Sequence, residues 1–213
     1  MAFSQGNEEK YILQYFGNDP INKVYVELGA YDGITNSNTR ALQLLGWSGV
    51  LIEPNPVPFK TLVKRRADDR TVCYDVAIVG SEQVKEVLFT VFDTIPQFSG
   101  LFPDSAKTIA ETRALQKAHN PKQIKVKALT LDAVMLDFYD GGAGHIDFLS
   151  VDVEGTEQDA LSGLTFDLWQ PRLVCIENND PRNANLDGFM QARGYRVATR
   201  IGINTFYERV SNG

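Results

Sequence analysis

Cysteine and histidine are scarce, with two of each in 213 residues. Cys73 and Cys175 each sit in an apolar, strand-like run, which implies buried thiols in a reducing compartment rather than a disulfide framework. Lysine and arginine are never concentrated. The densest cluster is Lys64-Arg65-Arg66, followed at once by Asp68 and Asp69, in a chain of formal net charge −6. That excludes a nucleic-acid footprint and a polybasic membrane anchor. No apolar run reaches the roughly 18 residues that a membrane helix needs. The first nine residues, Met1 to Glu9, lack the basic and apolar regions of a signal peptide. The expectation is a cytoplasmic chain without a nucleic-acid partner or membrane insertion. Repeats, low-complexity tracts and Pro/Gly/Ser linkers are also missing, so residues 1–213 read as one domain.

What is present is an alternation. Apolar, β-type runs at Val24–Leu28, Gly49–Glu53, Thr71–Val76, Ile146–Val151 and Leu173–Glu177 are separated by helical patterns near Ser37–Leu45, Val57–Arg66, Thr130–Phe138, Glu157–Leu161 and Leu186–Arg193. Such alternation predicts an α/β fold, a mostly parallel sheet with helices on both faces. The runs are apolar throughout, as doubly covered strands should be. Tyr195–Thr199 and Asn204–Val210 read as a closing antiparallel hairpin, and Tyr11–Phe16 as a helix lying on the sheet. Val87–Phe92 looks like an extra strand. The stretch Asp93–Pro121 that follows breaks the rhythm, with a helical pattern at Asp104–Ala118 between proline- and glycine-bearing flanks. Long excursions in compact domains commonly form lids or binding loops, so 93–121 is a candidate substrate-binding insertion; the alternative is a plain surface insertion.

Three strand ends are acidic. Val24-Tyr25-Val26-Glu27 runs into the turn Leu28-Gly29-Ala30-Tyr31-Asp32-Gly33, where glycines permit a tight turn and close approach. Val50-Leu51-Ile52-Glu53 ends in an acid able to take both hydroxyls of a ribose, and Pro54-Asn55-Pro56 then stops the strand and starts a helix. The third strand ends at Asp75-Val76-Ala77, where an acid and a backbone group could read an adenine edge. In an open α/β sheet ligands bind beyond the carboxyl ends of the strands. Acid after acid suits a cationic sulfonium nucleoside, S-adenosylmethionine (SAM). It suits a dinucleotide poorly, because a pyrophosphate wants bare backbone N–H groups at a helix N-terminus, and Tyr31 stands where that fingerprint wants glycine. A nucleotide-dependent oxidoreductase is the second reading; a SAM-fold interaction module that has lost activity is the third.

The chain resembles the FkbM-type methyltransferases along most of its length. The stretches that carry the resemblance are Ser4-Gln5 with Glu8-Glu9 and Ile12, then Glu27–Gly33, Ser37-Asn38-Thr39, Gly46–Val50, Ile52–Pro56, and Ile146-Asp147-Phe148-Leu149-Ser150-Val151-Asp152-Val153-Glu154-Gly155-Thr156-Glu157. The Glu27–Tyr31 and Ile52-Glu53 stretches are also similar to those of catechol-type O-methyltransferases. The resemblance implies a Rossmann-like class I methyltransferase with sheet order 3-2-1-4-5-7-6 and transfer of a methyl group to a hydroxyl. The implied cofactor residues are Glu27, Gly29, Ala30, Tyr31, Asp32, Gly33, Thr35, Asn38, Glu53, Pro54, Asp75, Val76, Ala77 and Asp152. The 93–121 insertion shows no family pattern.

An alkyl hydroxyl needs a base or a metal to lose its proton. Asp152 and Glu154 after the fourth strand are candidate catalytic acids; alternatively they merely cap the next helix. Asp152, Glu177 and Asn178 offer the hard oxygen donors that Mg²⁺ or Mn²⁺ prefers, as in the catechol-type enzymes. Gly155 stands where those enzymes carry a basic residue, which shifts the burden of the base to Asp152, Glu154 or a metal-bound hydroxyl. Tyr31, Asn55, Asn178 and Asn179 make an oxygen-rich cleft suited to a sugar, glycan or other polyhydroxyl acceptor. His119, in the insertion, could swing over it. His145 lies at the far end of the fourth strand and reads as structural, and Trp47 and Trp169 as packing residues.

Overall fold

The computed structural model describes residues 3–17, 23–92, 99–101, 121–178 and 184–210. The central sheet takes seven strands: β1 (Val24–Leu28), β2 (Ser48–Ile52), β3 (Thr71–Tyr74), β7 (Phe148–Val151), β8 (Leu173–Glu177), β9 (Tyr195–Ile201) and β10 (Asn204–Arg209). Their order is β3-β2-β1-β7-β8-β10-β9. This is the expected order, fourth to seventh strands being β7, β8, β9 and β10. All pairs are parallel except those of β10, which runs antiparallel to both β8 and β9.

The two faces follow from the two-residue period of a strand. Tyr25, Leu51, Phe148, Cys175 and Phe206 fall in one buried cluster with Ile12 and Phe16 of α1 (Glu8–Phe16) and with Trp47. Val26, Leu28, Val50, Ile52, Leu149, Val151 and Val174 fall in the other, against Leu131, Val134 and Met135 of α4 (Leu131–Phe138) and Trp169. Both faces are therefore apolar, which is why the strands read as unbroken runs. Cys73 and Cys175 are free, on β3 and β8. On the first cluster's side lie α2 (Arg40–Leu44) and α3 (Pro56–Arg66); α5 (Glu157–Ser162), α6 (Phe166–Trp169) and α7 (Ala184–Gln191) complete the helices among the described residues. The start of α3 is built as its sequence suggests. Asn55 Oδ1 accepts from Val57 N–H at 3.2 Å, and Pro56 fills the first turn, where a missing N–H costs nothing.

Besides shifts of one or two residues at several ends, the structure departs from the sequence reading in three places. The third strand stops at Tyr74, because Ala77–Ile78 leaves the main sheet as β4 and pairs with β6 (Lys122–Leu129). With β5 (Glu86–Val91), the expected extra strand, these form a separate three-stranded sheet, β4-β6-β5. The sequence reading missed β6, whose alternation of Gln123, Lys125 and Lys127 with Ile124, Val126 and Ala128 marks a strand with one covered face. The helix expected from Ser37 begins only at Arg40, because Ser37 and Thr39 commit their hydroxyls to Glu27. Most of the 93–121 insertion, with its helical pattern at Asp104–Ala118, lies outside the described residues. No helix among those residues is long and apolar enough to cross a membrane.

Candidate active site

Strand register assembles the site. Leu28 of β1 is level with Ile52 of β2 and Val151 of β7, and Val151 with Ile176 of β8. The residues that follow, Gly29, Glu53, Asp152 and Glu177, therefore emerge side by side at the carboxyl edge of the sheet. A cavity of about 610 Å³ opens there, within the usual range of small-molecule sites. Glu27, Gly29, Ala30, Tyr31, Asp32, Thr35, Asn38, Glu53, Asp152, Glu154 and Glu177 all line it.

Gly29 has φ +77°, and a Cβ there would collide with the Asp152 carbonyl oxygen. The lack of a side chain there lets β1 and β7 run on side by side while Gly29 lines the cavity. Gly33, expected at the cofactor, does not line the cavity. It has φ +81°, and a Cβ would press on Arg66 and Leu62 of α3. Glu27, expected to meet a cation directly, instead accepts from Ser37 Oγ (2.9 Å), Thr39 Oγ1 (2.7 Å) and Asn38 N–H (2.9 Å), tying down the loop that carries them. Fully buried Arg66 closes this network: it donates to the Gly33 carbonyl (2.6 Å), Ser37 Oγ (3.2 Å) and Thr39 Oγ1 (3.0 Å), and lies 3.9 Å from Glu27. Asn38 Nδ2 reaches Ser150 Oγ at 3.1 Å. Asp32 accepts from Ile34 N–H, Thr35 N–H and Thr35 Oγ1, and pairs with Arg65 at 2.5 Å; despite partial burial, those donors hold its carboxyl below the usual range.

Glu53 is buried and accepts from Tyr31 N–H (2.9 Å) and Asn55 N–H (2.7 Å). Burial nevertheless pushes its carboxyl up to about 7, with Asp152 adding to the effect. Next to it lies a mostly apolar slot walled by Ile52, Pro54, Val76, Ala77, Ile78, Phe89 and Leu101, with Leu28, Gly29 and Glu53 shared with the larger cavity. Val76, Ala77 and Pro54, expected at the cofactor, line this slot. Asp75 is exposed and lines neither cavity, because the chain has already turned towards β4.

One oxygen each from Asp152, Glu154 and Glu177 lie within 4.8 Å of one another. Burial, a hydrogen bond with Glu177, and the charges of Glu177 and Glu27 push the Asp152 carboxyl well above its usual range. Burial, then Asp152 and Glu157, push Glu154 up to about 8. Glu154 also holds a left-handed backbone, φ +57°, of the kind that gathers at functional sites. Neither acid caps α5: its N-cap is Thr156, and Glu157 accepts from Gly155 N–H. Of the expected metal donors Asp152, Glu177 and Asn178, the carboxylates converge, with Glu154 as the third; Asn178 is buried and its N–H donates to the Ile203 carbonyl.

The acceptor candidates fare unevenly. Tyr31 lines the cavity. Asn55 is buried as the α3 cap, with Nδ2 on Ser99 Oγ at 3.3 Å, so it faces no open space. Asn179 and His119 lie outside the described residues. His145 bonds Asp147 at 3.1 Å, at the amino end of β7 and away from the cavity. Sequence reasoning missed Arg66, Gln5, Asn36, Ser150, Ile203 and Asn204. Gln5 and Ser150 had a signal, since each falls in a stretch that carries the family resemblance. Arg66, Asn36, Ile203 and Asn204 had none in the linear pattern.

A family model described as Methyltransferase FkbM domain matches residues 27–197. Among solved structures, the METTL16 MTase domain aligns at TM-score 0.50 and 11% identity, over 94% of this chain and 65% of that one. The fibrillarin/Nop5p complex aligns at TM-score 0.46 and 10% identity, over 89% and 73%. A human methyltransferase 10 domain containing protein aligns at 0.45 and 11%, over 94% and 79%. Identities this low bear on the fold alone, and the two lower scores carry no argument. No curated protein sequence matches.

Proposed function

The chain belongs to the FkbM methyltransferase family, a premise from which we propose that it transfers a methyl group from SAM to a hydroxyl of a sugar, glycan or other small polyhydroxyl acceptor. The observation that carries this reading is the convergence of Asp152, Glu154 and Glu177 beside a cavity that no Lys or Arg lines among the described residues. Uncompensated buried carboxylates are costly, and a cationic ligand relieves that cost. The apolar slot beside Glu53 suits a flat adenine ring, with the carboxylate taking the ribose hydroxyls. SAM, when bound, supplies an electrophilic methyl group on a positive sulfur. This chain's residues then have two tasks. The strand-end backbone and the Tyr31–Asn38 loop hold reactants in line, a contribution of about 7–11 kcal/mol in well-oriented systems. A carboxylate oxygen of Asp152 or Glu154 would accept the hydroxyl proton as the acceptor oxygen takes the methyl carbon and the S–C bond breaks, the sulfur leaving as the neutral thioether S-adenosylhomocysteine. A base whose proton affinity lies near the working pH suits that task, and Glu154 is raised to about 8; the Asp152 carboxyl is raised in the same direction by burial and by Glu177.

Asp152, Glu154 and Glu177 would also hold Mg²⁺ or Mn²⁺, with Asn178 as a further oxygen donor. An ion there would favour ionisation of the hydroxyl. The family match favours methyl transfer over the oxidoreductase reading, and an intact Glu27, Gly29 and Glu53 speak against an inactive module. The 93–121 insertion keeps its reading as part of a single domain that helps bind substrate: Leu101 lines the slot and Gly100 abuts Glu154.

Calorimetry with SAM and NAD, then turnover on a panel of methyl glycosides with radiolabelled SAM, tests the proposal. SAM binding and a methyl ether in the product are expected. Binding of NAD in place of SAM would overturn methyl transfer. Methylation confined to nitrogen acceptors would overturn the oxygen acceptor. EDTA that abolishes turnover, with Mn²⁺ restoring it, selects the metal route over the carboxylate base.

A further inference from the structure

The reacting end of the acceptor has a recognisable chemistry at the mouth of the cavity. A smaller recess opens off the acidic cavity and shares Gln5, Asn36, Asn38, Asp152, Glu177 and Ile203 with it, adding Asn204. It shares no residue with the apolar slot beside Glu53. Four carboxamides therefore surround the open side of the acids, drawn from three separate segments: the chain before α1, the loop after β1, and the β9–β10 turn.

Two of these carboxamides are already held. Asn38 Nδ2 donates to Ser150 Oγ, and Asn204 Nδ2 to Glu8 Oε1 at 3.1 Å, leaving each side-chain oxygen as an acceptor. Gln5 and Asn36 are exposed, and neither side chain makes a hydrogen bond to another described residue. Asn36 is held at φ +57°, a backbone that Asn tolerates better than most residues. Ile203, 38% exposed, adds an aliphatic patch to the same rim. Carboxamides offer donors and acceptors without charge, which suits vicinal hydroxyls, and the aliphatic patch suits a C–H face of a sugar ring.

Charge sharpens the choice. The two connected cavities are lined by Glu27, Asp32, Glu53, Asp152, Glu154 and Glu177, and by no Lys or Arg among the described residues. A phosphate or carboxylate on the acceptor would enter this field of like charge without a cationic partner among the described residues. We infer that Gln5, Asn36, Ile203 and Asn204 form an acceptor subsite that takes an uncharged polyhydroxyl group and rejects its anionic counterparts. This rests on the methyl-transfer reading for the direction in which the acceptor enters.

The test uses the full chain saturated with S-adenosylhomocysteine, the demethylated cofactor, so that no turnover is needed. Saturation-transfer NMR compares methyl glucoside, methyl glucuronide and glucose 6-phosphate. The neutral glycoside should bind, with the two anions at least about tenfold weaker. Gln5→Ala and Asn36→Ala should each weaken the glycoside about three- to tenfold, the scale of one neutral hydrogen bond, with S-adenosylhomocysteine affinity unchanged. Anions binding as well as the neutral sugar, no glycoside binding at all, or both variants behaving as wild type would each overturn the inference. Failure of S-adenosylhomocysteine itself to bind would instead overturn the methyl-transfer reading.

Discussion

Asp147 and Asp152 flank the same strand, β7, and could hardly be treated more differently. Asp147 is fully buried at the amino end and completely served: it accepts from Val24 N–H (2.9 Å), faces His145 (3.1 Å) and pairs with Arg172 (3.3 Å). Asp152, at the carboxyl end, has Glu177, Glu154 and Glu27 for neighbours. One acid locks the bottom of β1 to β7. The other is held in a field that raises its free energy until something cationic arrives. The two acids are separated by about 16 Å of strand, at roughly 3.3 Å per residue, and the proposed chemistry is confined to the upper one.

The largest expected effect comes from erasing the carboxylate at the top. Asp152→Asn should lower the methyl-transfer rate by about 10²–10⁴-fold, the range for positioned proton transfer, while thermal stability holds or rises because one of several crowded acids is gone. A near-normal rate would remove Asp152 from the chemistry. Next comes Glu53→Gln, which deletes a charge-assisted acceptor beside the slot. SAM affinity should fall about 10–150-fold, equivalent to about 1.5–3 kcal/mol, and unchanged affinity in calorimetry would end the ribose assignment.

At the bottom of the strand the pattern should invert. Asp147→Ala leaves Val24 N–H and Arg172 without their acceptor and should cost about 1.5–3 kcal/mol of stability by denaturant titration, with SAM affinity in the surviving folded protein unchanged. A loss of SAM affinity without a loss of stability would contradict the division between the two ends.

The mildest effect is on pH. Glu53 and Glu154 are raised to about 7 and about 8 from an ordinary value near 4.5, so the folded chain retains protons that the unfolded chain has lost. Stability without ligand should therefore be greatest near or below pH 4.5 as far as these groups are concerned, and fall as pH rises through 7–8. Saturating SAM should flatten this slope, because a cation lowers the cost of the ionised acids. Melting curves from pH 5 to 8.5, with and without SAM, read both. A midpoint that rises over that range in the ligand-free chain would show that the top acids are not the crowded ones.

Much of this was legible in the chain itself. Unbroken apolar runs fix a doubly covered parallel sheet, since only such strands bury both faces. The acids after those runs mark the carboxyl edge, and Asn55-Pro56 marks a helix start through purely local hydrogen bonding. Asp152 could be read as a catalytic candidate because a residue after a strand has only one edge to stand on. Tertiary structure alone decided how each acid is employed. Glu27, Glu53 and Asp152 look equivalent in sequence, yet Glu27 is committed to Ser37, Thr39 and Arg66, Glu53 to two backbone amides, and Asp152 to another carboxyl group. Gly33 packs against Arg66 and Leu62 of α3 and does not line the cavity. Gln5 and Asn204 meet across about two hundred positions of chain at one rim. Strand positions are local consequences of periodicity, and the strand order is what the family resemblance implies. Hydrogen-bond partners and burial depend on contacts between distant segments, and no spacing in the sequence encodes them.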